Sequence, residues 1–327
     1  MFSSRRSRLG ARTSVITALV ITAMALAGCG SSHSAAARRA VPTPATHPVK
    51  GPHLVVVIEE NHSYNQIVGS PIALRANELA TTGVSLTNFY AITHPSLPNY
   101  IALTSGGTHG ITKDCGKCDL GVPNLIDQLE HAKISWRAYA QGFPGQCSRQ
   151  PLVGAYAKKH IPFLYYRSVF ERPSVCAKVV GLDRFWSDTR AGTLPTVSFV
   201  IPDLDNDMHG VGEGRDRVKV ARQADKTLGR IMDDLRAPRN WTHGSRLVVT
   251  WDEGGGGHEP RTSCCGGRAA GGHIPTLVSG PDLPAGPDSV DHDHYDLLRS
   301  FEARYHLPLL GHAADPTSRS IPSVVGT

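Results

Sequence analysis

Acidic and amide side chains follow short apolar runs in this sequence, and such groups bind metal ions or move protons. One run precedes Glu60 and Asn61, and another precedes Asp252 and Glu253. Carboxylate and amide oxygens suit Mg²⁺, Ca²⁺ or Mn²⁺, while an added imidazole would admit Zn²⁺ or iron. Because clustered acids are costly without a counter-charge, we predict that a divalent metal ion of unassigned identity binds where these segments meet.

A third apolar run leads into a segment that contains Asp203, Asp205, Asp207 and His209. Any one of these acids would be interpreted as a solvated loop charge. Three strand ends that carry such residues at once favour a functional site.

Ser96 is the candidate nucleophile. It lies in the segment THPSLPNY at residues 93–100, which predicts a tight loop entering a helix. Free N–H groups and the positive dipole at a helix start favour phosphate, so a serine there is well placed for covalent phosphoryl transfer. The alternative is that Ser96 only caps the helix, and the sequence leaves both open. No Gly-x-Ser-x-Gly or Walker motif occurs.

The elements that would position these residues form an α/β fold. The apolar runs are near-continuous and rich in β-branched residues, as expected for parallel strands covered on both faces, and lie at residues 54–58, 197–201, 247–250 and 274–278. Helices are predicted at 122–131 and 218–235. Since ligands bind at the carboxyl ends of parallel strands, the acidic segments should share one rim.

The N-terminal residues predict export. Arginines precede an apolar run at residues 15–27, and the run ends in Leu26-Ala27-Gly28-Cys29, which is similar to a bacterial lipobox. We predict a lipoprotein signal peptide at 1–28, a disordered tether at 29–52 and a catalytic domain at 53–327. Lipidated Cys29 would hold the protein on the extracytoplasmic face of the membrane. The alternative is a cleaved secretory signal with an accidental cysteine.

Charge and cysteine content narrow the function classes further. The net charge of +6 owes much to the N-terminal arginines, and no basic run is interleaved with aromatics, so we expect no nucleic-acid partner.

Apart from Cys29, six cysteines remain, which predict disulfides in an oxidising compartment. Neighbouring Cys264 and Cys265 would strain to pair and are expected to bond elsewhere. A zinc site at Cys115 and Cys118 is not favoured.

Several motifs together resemble those of the bacterial and fungal phosphoesterases, which include acid phosphatases and phospholipases C. They are EENHSY at 59–64, THPSLPNY at 93–100, the segment 197–209 with its NDMH, VTWDE at 249–253 and HYDLL at 294–298. The sequence is most similar to actinobacterial secreted acid phosphatases. The resemblance implies an alkaline-phosphatase-like sandwich with a largely parallel central sheet covered by helices.

The resemblance also implies roles for individual residues. Ser96 would be the nucleophile, and His209 would contact the phosphate and protonate the leaving oxygen. Asp207, His294 and His94 are further candidates. Asp225 matches an acidic position less clearly, because it follows an apparent insertion at 212–220. The implied metal ligands are Glu60, Asn61, Asp252 and Glu253.

We therefore expect an exported acid phosphatase that hydrolyses phosphate monoesters through a phosphoserine. Its substrate would be a small phosphate ester or a phospholipid headgroup. Two alternatives stay open: a phosphodiesterase or phospholipase C with the same residues, and a surface lipoprotein that binds phosphate or metal without catalysis. A sulfatase function is not favoured, because the sequence contains no Cys-x-Pro-x-Arg motif.

Overall fold

The computed structural model describes residues 51–212, 214–255 and 262–326. The predicted signal peptide and nearly all of the tether lie outside these residues, so the proposed division of the chain stays a prediction. Within the described part of the chain, no helix combines the length and apolar character needed to cross a bilayer.

The strands and helices alternate along the chain. The strands are β1 Leu54–Glu59, β2 Val84–Leu86, β3 Phe89–Tyr90, β4 Trp136–Ala140, β5 Leu152–Val153, β6 Tyr156–Ala157, β7 Val179–Gly181, β8 Val197–Ile201, β9 Arg246–Trp251, β10 Thr276–Ser279, β11 Gly286–Asp288 and β12 His292–Asp293. The α-helices are α1 Tyr64–Ile67, α2 Leu74–Thr82, α3 Ser96–Ser105, α4 Leu125–His131, α5 Arg167–Phe170, α6 Pro173–Cys176, α7 Asp183–Ala191, α8 Arg217–Leu235, α9 His294–Arg304 and α10 Pro322–Val325. Short 3₁₀ helices lie at Lys158–His160, Pro162–Tyr165, Cys265–Gly267 and Gly311–Ala314.

An eight-stranded sheet forms the centre, in the order β11-β2-β10-β9-β1-β8-β4-β7. Strand β1 lies between β8 and β9 and pairs in parallel with both. Strands β4 and β7 extend the parallel part beyond β8. The predicted α/β sandwich with a largely parallel central sheet is confirmed.

The four predicted strands and both predicted helices are present. Every residue of β1, β8, β9 and β10 is buried, which explains why their apolar runs are continuous. The expectation that all four are parallel is wrong for β10, which pairs antiparallel with β9 and β2. Burial on both faces gives the same sequence pattern in either direction, so the pattern could not distinguish them.

Helices cover the sheet through apolar faces. Helix α8 is amphipathic, and its buried positions include Leu228, Ile231 and Leu235. Helix α3 differs, because all of its residues from Ser96 to Ser105 are buried. A helix that is enclosed on all sides is held rigidly, and α3 carries the candidate nucleophile at its first residue.

Three disulfides lie in the described region: Cys115–Cys118, Cys147–Cys176 and Cys264–Cys265. The expectation that Cys264 and Cys265 bond elsewhere is wrong. A turn in which Cys265 has a φ of 60° lets the adjacent sulfurs meet. Cys115 and Cys118 pair with each other, which leaves no thiolates there for zinc.

Candidate active site

Parallel pairing brings the ends of β1, β8 and β9 to one rim. The N–H of Asn61 donates to Oδ1 of Asp252 at 2.9 Å, and the N–H of Glu60 donates to the carbonyl of Asp207 at 2.7 Å. Segments that are about 150 to 190 residues apart in sequence are thus joined by direct hydrogen bonds. The structure brings the three predicted acidic segments together.

Ser96 faces this rim from the start of α3. Its side chain is buried at 1% exposure, and Oγ lies 3.1 Å from Oε2 of Glu60 and 3.3 Å from Oε1 of Glu253, either of which can accept its proton. The helix cap is Pro95, and no side-chain capping bond is formed. The interpretation of Ser96 as a helix cap therefore fails, because its hydroxyl is directed to the carboxylates.

Asn99 fixes the loop that precedes the serine. Its Oδ1 accepts the N–H groups of Ile92 and Thr93, both at 3.0 Å, and its Nδ2 donates to the carbonyls of Thr93 and Pro95. One amide side chain thereby satisfies four backbone groups and holds the loop against the helix.

The carboxylates at the rim repel one another. Burial, followed by repulsion from Asp252 and Asp207, raises the pKa of Glu60 well above its usual range. Burial and then Glu253 raise the pKa of Asp252 to about 7. Oδ2 of Asp252 is buried and has no hydrogen-bond partner among the described residues. A buried acidic group with free oxygens is the environment in which a hard cation binds.

Lys159 is a site residue that the sequence reasoning missed. Its Nζ lies 3.5 Å from Oγ of Ser96, 2.9 Å from Oδ2 of Asp114 and 3.4 Å from Nε2 of His209. Oδ1 of Asp114 also accepts the N–H of Leu97 at 3.1 Å, so Asp114 links the lysine to the start of α3. Burial lowers the pKa of Lys159, but Glu60 and Asp114 outweigh it and raise the pKa overall. The site therefore holds a cation beside the nucleophile.

His160 and Tyr100 were missed as well. The hydroxyl of Tyr100 donates to Oε1 of Glu60 at 2.6 Å, and its ring stacks on His160. Nε2 of His160 lies 3.1 Å from Glu60 Oε1, and Nδ1 lies 3.1 Å from Asp207 Oδ2. Glu60, His160 and His209 each offer one atom that could bind a metal ion, and these three atoms lie within 4.8 Å of one another. Residues 158–160 form a short 3₁₀ helix that follows no strand of the central sheet.

Asp207 positions His209 through a hydrogen bond to its backbone. Oδ1 of Asp207 accepts the N–H of His209 at 2.8 Å, and Nδ1 of His209 contacts the carbonyl of Gly210 at 2.8 Å. These contacts leave Nε2 facing Lys159. Burial lowers the pKa of His209, and the nearby Lys159 and Arg215 lower it further.

Of the two remaining histidine candidates, His94 lies at the rim and His294 lies behind it. His94 is at the rim, where Nδ1 pairs with Glu253 and that hydrogen bond raises the pKa of the imidazole. His294 is fully buried, and its Nε2 lies 3.0 Å from the carbonyl of Trp251, one residue before Asp252. It packs against Phe89, so it supports the rim from behind.

Asp225 holds a helix in place. Its carboxylate accepts the N–H groups of Arg75 and Ala76 at the start of α2. This is the contact of a capping residue, which accounts for the burial of Asp225 in structural terms.

Two pockets meet at His209. A polar pocket of about 330 Å³ is lined by Asn61, His62, His94, Met208, His209, Arg215, Arg217, Gly254 and Gly255. A mostly apolar pocket of about 200 Å³ runs past Lys159 to Leu152, Leu204 and Tyr165. A larger pocket, of about 540 Å³, lies beside β7 and contains none of the site residues, so its size does not make it the active site.

Comparison with known proteins assigns the family. The model of the phosphoesterase family matches residues 71–308, which is most of the chain. This chain belongs to the phosphoesterase family. Its enzyme class is phosphoric ester hydrolase. The predicted resemblance is confirmed.

Two relatives illustrate the likeness. The phosphatidylinositol-3-phosphatase of Mycobacterium tuberculosis is 36% identical over 266 residues, which cover 80% of this chain and 80% of that protein. The phosphate-repressible acid phosphatase of Penicillium chrysogenum is 30% identical over 249 residues, which cover 74% of this chain and 57% of that protein. The chain thus spans little more than half of the fungal enzyme.

Solved structures show the same fold. A protein of the alkaline phosphatase superfamily from Vibrio parahaemolyticus superposes with a TM-score of 0.56 at 17% identity, covering 84% of this chain and 72% of that one. The phosphonate monoester hydrolase of Agrobacterium radiobacter gives a TM-score of 0.53 at 12% identity, covering 83% and 78%. The alkaline-phosphatase-like architecture is confirmed.

Proposed function

We propose that this protein is an acid phosphatase that hydrolyses phosphate monoesters through a phosphoserine at Ser96. The observation that carries the proposal is the position of the Ser96 hydroxyl, which lies within hydrogen-bond distance of Glu60 and Glu253 and has Lys159 3.5 Å away. A nucleophile with proton acceptors on one side and a cation on the other fits attack on an anionic phosphorus centre.

In the first half-reaction, Oγ of Ser96 attacks phosphorus in line while its proton passes to the carboxylate of Glu60 or Glu253. The bond from phosphorus to the leaving oxygen breaks, and His209 donates a proton to that oxygen. Lys159 stabilises the negative charge that builds on the phosphoryl oxygens. The products are the free alcohol and phosphoserine.

In the second half-reaction, water attacks the phosphoserine and gives its proton to neutral His209. The bond from phosphorus to Oγ breaks, Ser96 regains its proton from the carboxylate, and phosphate departs. His209 must be protonated before the alcohol leaves, and the proton that it takes from water restores that state for the next turnover. Because its pKa is lowered, the protonated form is favoured at acidic pH, which agrees with an acid phosphatase.

The residues at the rim fit a divalent cation, since they offer buried carboxylates and a free Oδ2 on Asp252. A bound cation would supply positive charge that offsets the negative charge of the phosphoryl group. We propose that the residues which hold it are Glu60, Asn61, Asp252 and Glu253.

A monoester with an organic leaving group suits the pockets. The apolar pocket next to Lys159 would seat the organic part of the substrate beside the nucleophile. The mycobacterial relative is named a phosphatidylinositol-3-phosphatase and the fungal relative an acid phosphatase, so a soluble ester and a lipid headgroup are both proposed substrates.

We propose export with a lipid anchor at Cys29. The lipobox-like segment Leu26 to Cys29 and the disulfides support this location, because disulfides persist in oxidising compartments. Labelling with a fatty-acid analogue tests it. Label on the native chain that is absent from the Cys29→Ala variant, with release of that variant from membranes, is the expected result.

The function is tested by phosphate release from p-nitrophenyl phosphate and from its bis ester across pH, with and without chelator. Ser96→Ala and Asp252→Asn are compared with Ser187→Ala, an exposed serine on α7 that contacts only the helix backbone. We expect release from the monoester that stops in the first two variants and in chelator, while Ser187→Ala behaves as native.

Preferred release from the bis ester would instead support a phosphodiesterase. If Ser96→Ala kept its activity, another group would be the nucleophile. If the native protein released nothing with any divalent metal supplied, the proposed phosphatase activity would be wrong.

A further inference from the structure

Two arginines line the polar pocket, and the chemistry at Ser96 does not use them. Arg215 and Arg217 both border the pocket that opens beside His209. The cation nearest to Ser96 is Lys159, which does not line this pocket. The arginines therefore supply positive charge at a second place.

Neither arginine forms an ion pair with a carboxylate among the residues that the structure describes. Arg246 and Arg268, by contrast, pair with acidic side chains. Nε of Arg215 is buried and has no hydrogen-bond partner in the described region. A buried guanidinium donor without a partner is costly unless a ligand accepts its hydrogen bond.

Arg215 is held in position beside the site. Its side chain packs over Gly210, where a Cβ would lie only 2.5 Å from Cδ of Arg215, and its Nη1 donates to the carbonyl of Gly212 at 2.9 Å. Gly210 also has a φ of +77°, which favours glycine. The residue after His209 thus allows the guanidinium to lie close to the catalytic imidazole.

The charged groups that line the pocket are positive. Its lining contains two guanidinium groups and the imidazoles of His62, His94 and His209, and no carboxylate among the described residues. Guanidinium groups bind phosphate through two parallel hydrogen bonds, so phosphate is the anion that this lining fits best.

Resting on the proposed function, we propose that Arg215 and Arg217 bind a second phosphate group of the substrate while the first is attacked by Ser96. The pocket shares Asn61, His94 and His209 with the active site, so one molecule can reach both places. The preferred substrates are then phosphate monoesters that carry another phosphate, whether a soluble bisphosphate or a phosphoinositide headgroup.

Initial-rate kinetics on alkanediol bisphosphates of increasing chain length, each beside its monophosphate, test the proposal. The paired variant Arg215→Gln/Arg217→Gln is compared with Arg222→Gln, an exposed arginine on α8, the helix that begins at Arg217, that does not line the pocket. We expect kcat/KM of the native enzyme to favour the bisphosphate by about ten-fold or more at one chain length, as for a charged hydrogen bond. The paired variant should lose that preference, which is a ratio of two substrates on one protein and so is independent of any effect of Arg215 on the pKa of His209.

The two sources of the second phosphate are distinguished by comparing kcat/KM on a soluble short-chain phosphatidylinositol monophosphate with kcat/KM on inositol monophosphate. A preference for the former indicates a phosphoinositide headgroup, and a preference seen only among the alkanediol bisphosphates indicates a soluble bisphosphate. Loss of preference in Arg222→Gln as well would indicate general attraction and overturn the site. So would a native enzyme that hydrolyses p-nitrophenyl phosphate but shows no preference for any doubly phosphorylated substrate. No hydrolysis of any ester would instead refute the proposed function itself.

Discussion

Oγ of Ser96 lies 3.1 Å from Oε2 of Glu60, although the two residues belong to a helix start and a strand end. The same glutamate accepts the hydroxyl of Tyr100, one turn further along α3. Helix α3 is thus tied to the end of β1 at two points, which fixes the nucleophile relative to the acidic rim.

Replacing Lys159 by Met should lower kcat/KM on p-nitrophenyl phosphate by about 10²-fold, because a charged donor beside the developing phosphoryl charge is removed. Lys159→Arg should recover part of the activity. Lys113→Met removes an exposed lysine next to Asp114 and serves as the control. Equal rates for native protein and Lys159→Met would exclude Lys159 from the transition state.

Replacing Asn99 by Ala should lower both stability and kcat, because four backbone hydrogen bonds of the nucleophile loop are lost. Asn77 on α2 is a matched control, since its side chain also forms hydrogen bonds with four backbone groups but lies outside the nucleophile loop. Both variants should lose about 1–3 kcal/mol in urea unfolding. Only Asn99→Ala should lose kcat; a matching loss in Asn77→Ala would mean that general destabilisation is the cause.

Replacing Asp252 by Asn should raise the melting temperature of metal-free protein by several degrees at pH 8. Burial and Glu253 raise the pKa of Asp252 to about 7, so the native, metal-free fold loses stability as pH rises from 3.8 through 7. Asn removes that repulsion. With saturating divalent metal the order should reverse, so that the native protein has the higher melting temperature. Thermal melts with and without chelator measure this, and replacement of the exposed Asp183 on α7 by Asn is the control.

His294 should destabilise the fold as pH falls from about 6.5 to 4, a contribution opposite in sign to that of Asp252. Burial lowers the pKa of His294 to about 4, so the unfolded chain takes up this proton first and unfolding is favoured. The difference corresponds to roughly 3 kcal/mol at full effect. In denaturant unfolding, the free energy of unfolding of the native protein should fall relative to that of His294→Gln as pH falls across this range. Relative to that of the exposed His131→Gln it should stay constant; an unchanged slope in His294→Gln would contradict the assignment.

The site was predictable only in part. Glu60, Asp252 and Asp207 could be found because each follows an apolar strand, and strand ends meet in a parallel sheet. Lys159, His160 and Asp114 could not, because they follow no strand of the central sheet and reach Ser96 only through the packing of a 3₁₀ helix and a loop. The pairing of Cys264 with Cys265 depended on a local turn that composition does not encode.

The sequence by itself determined the α/β class, the strands that form the rim and the family, because apolar periodicity and motif order are local properties of the chain. Tertiary structure decided that Ser96 faces carboxylates and does not cap its helix, and that β10 runs antiparallel. It also decided that Arg215 and Arg217 meet in one pocket. Contacts between distant segments follow from how buried surfaces pack together, and no local pattern of residue types specifies them.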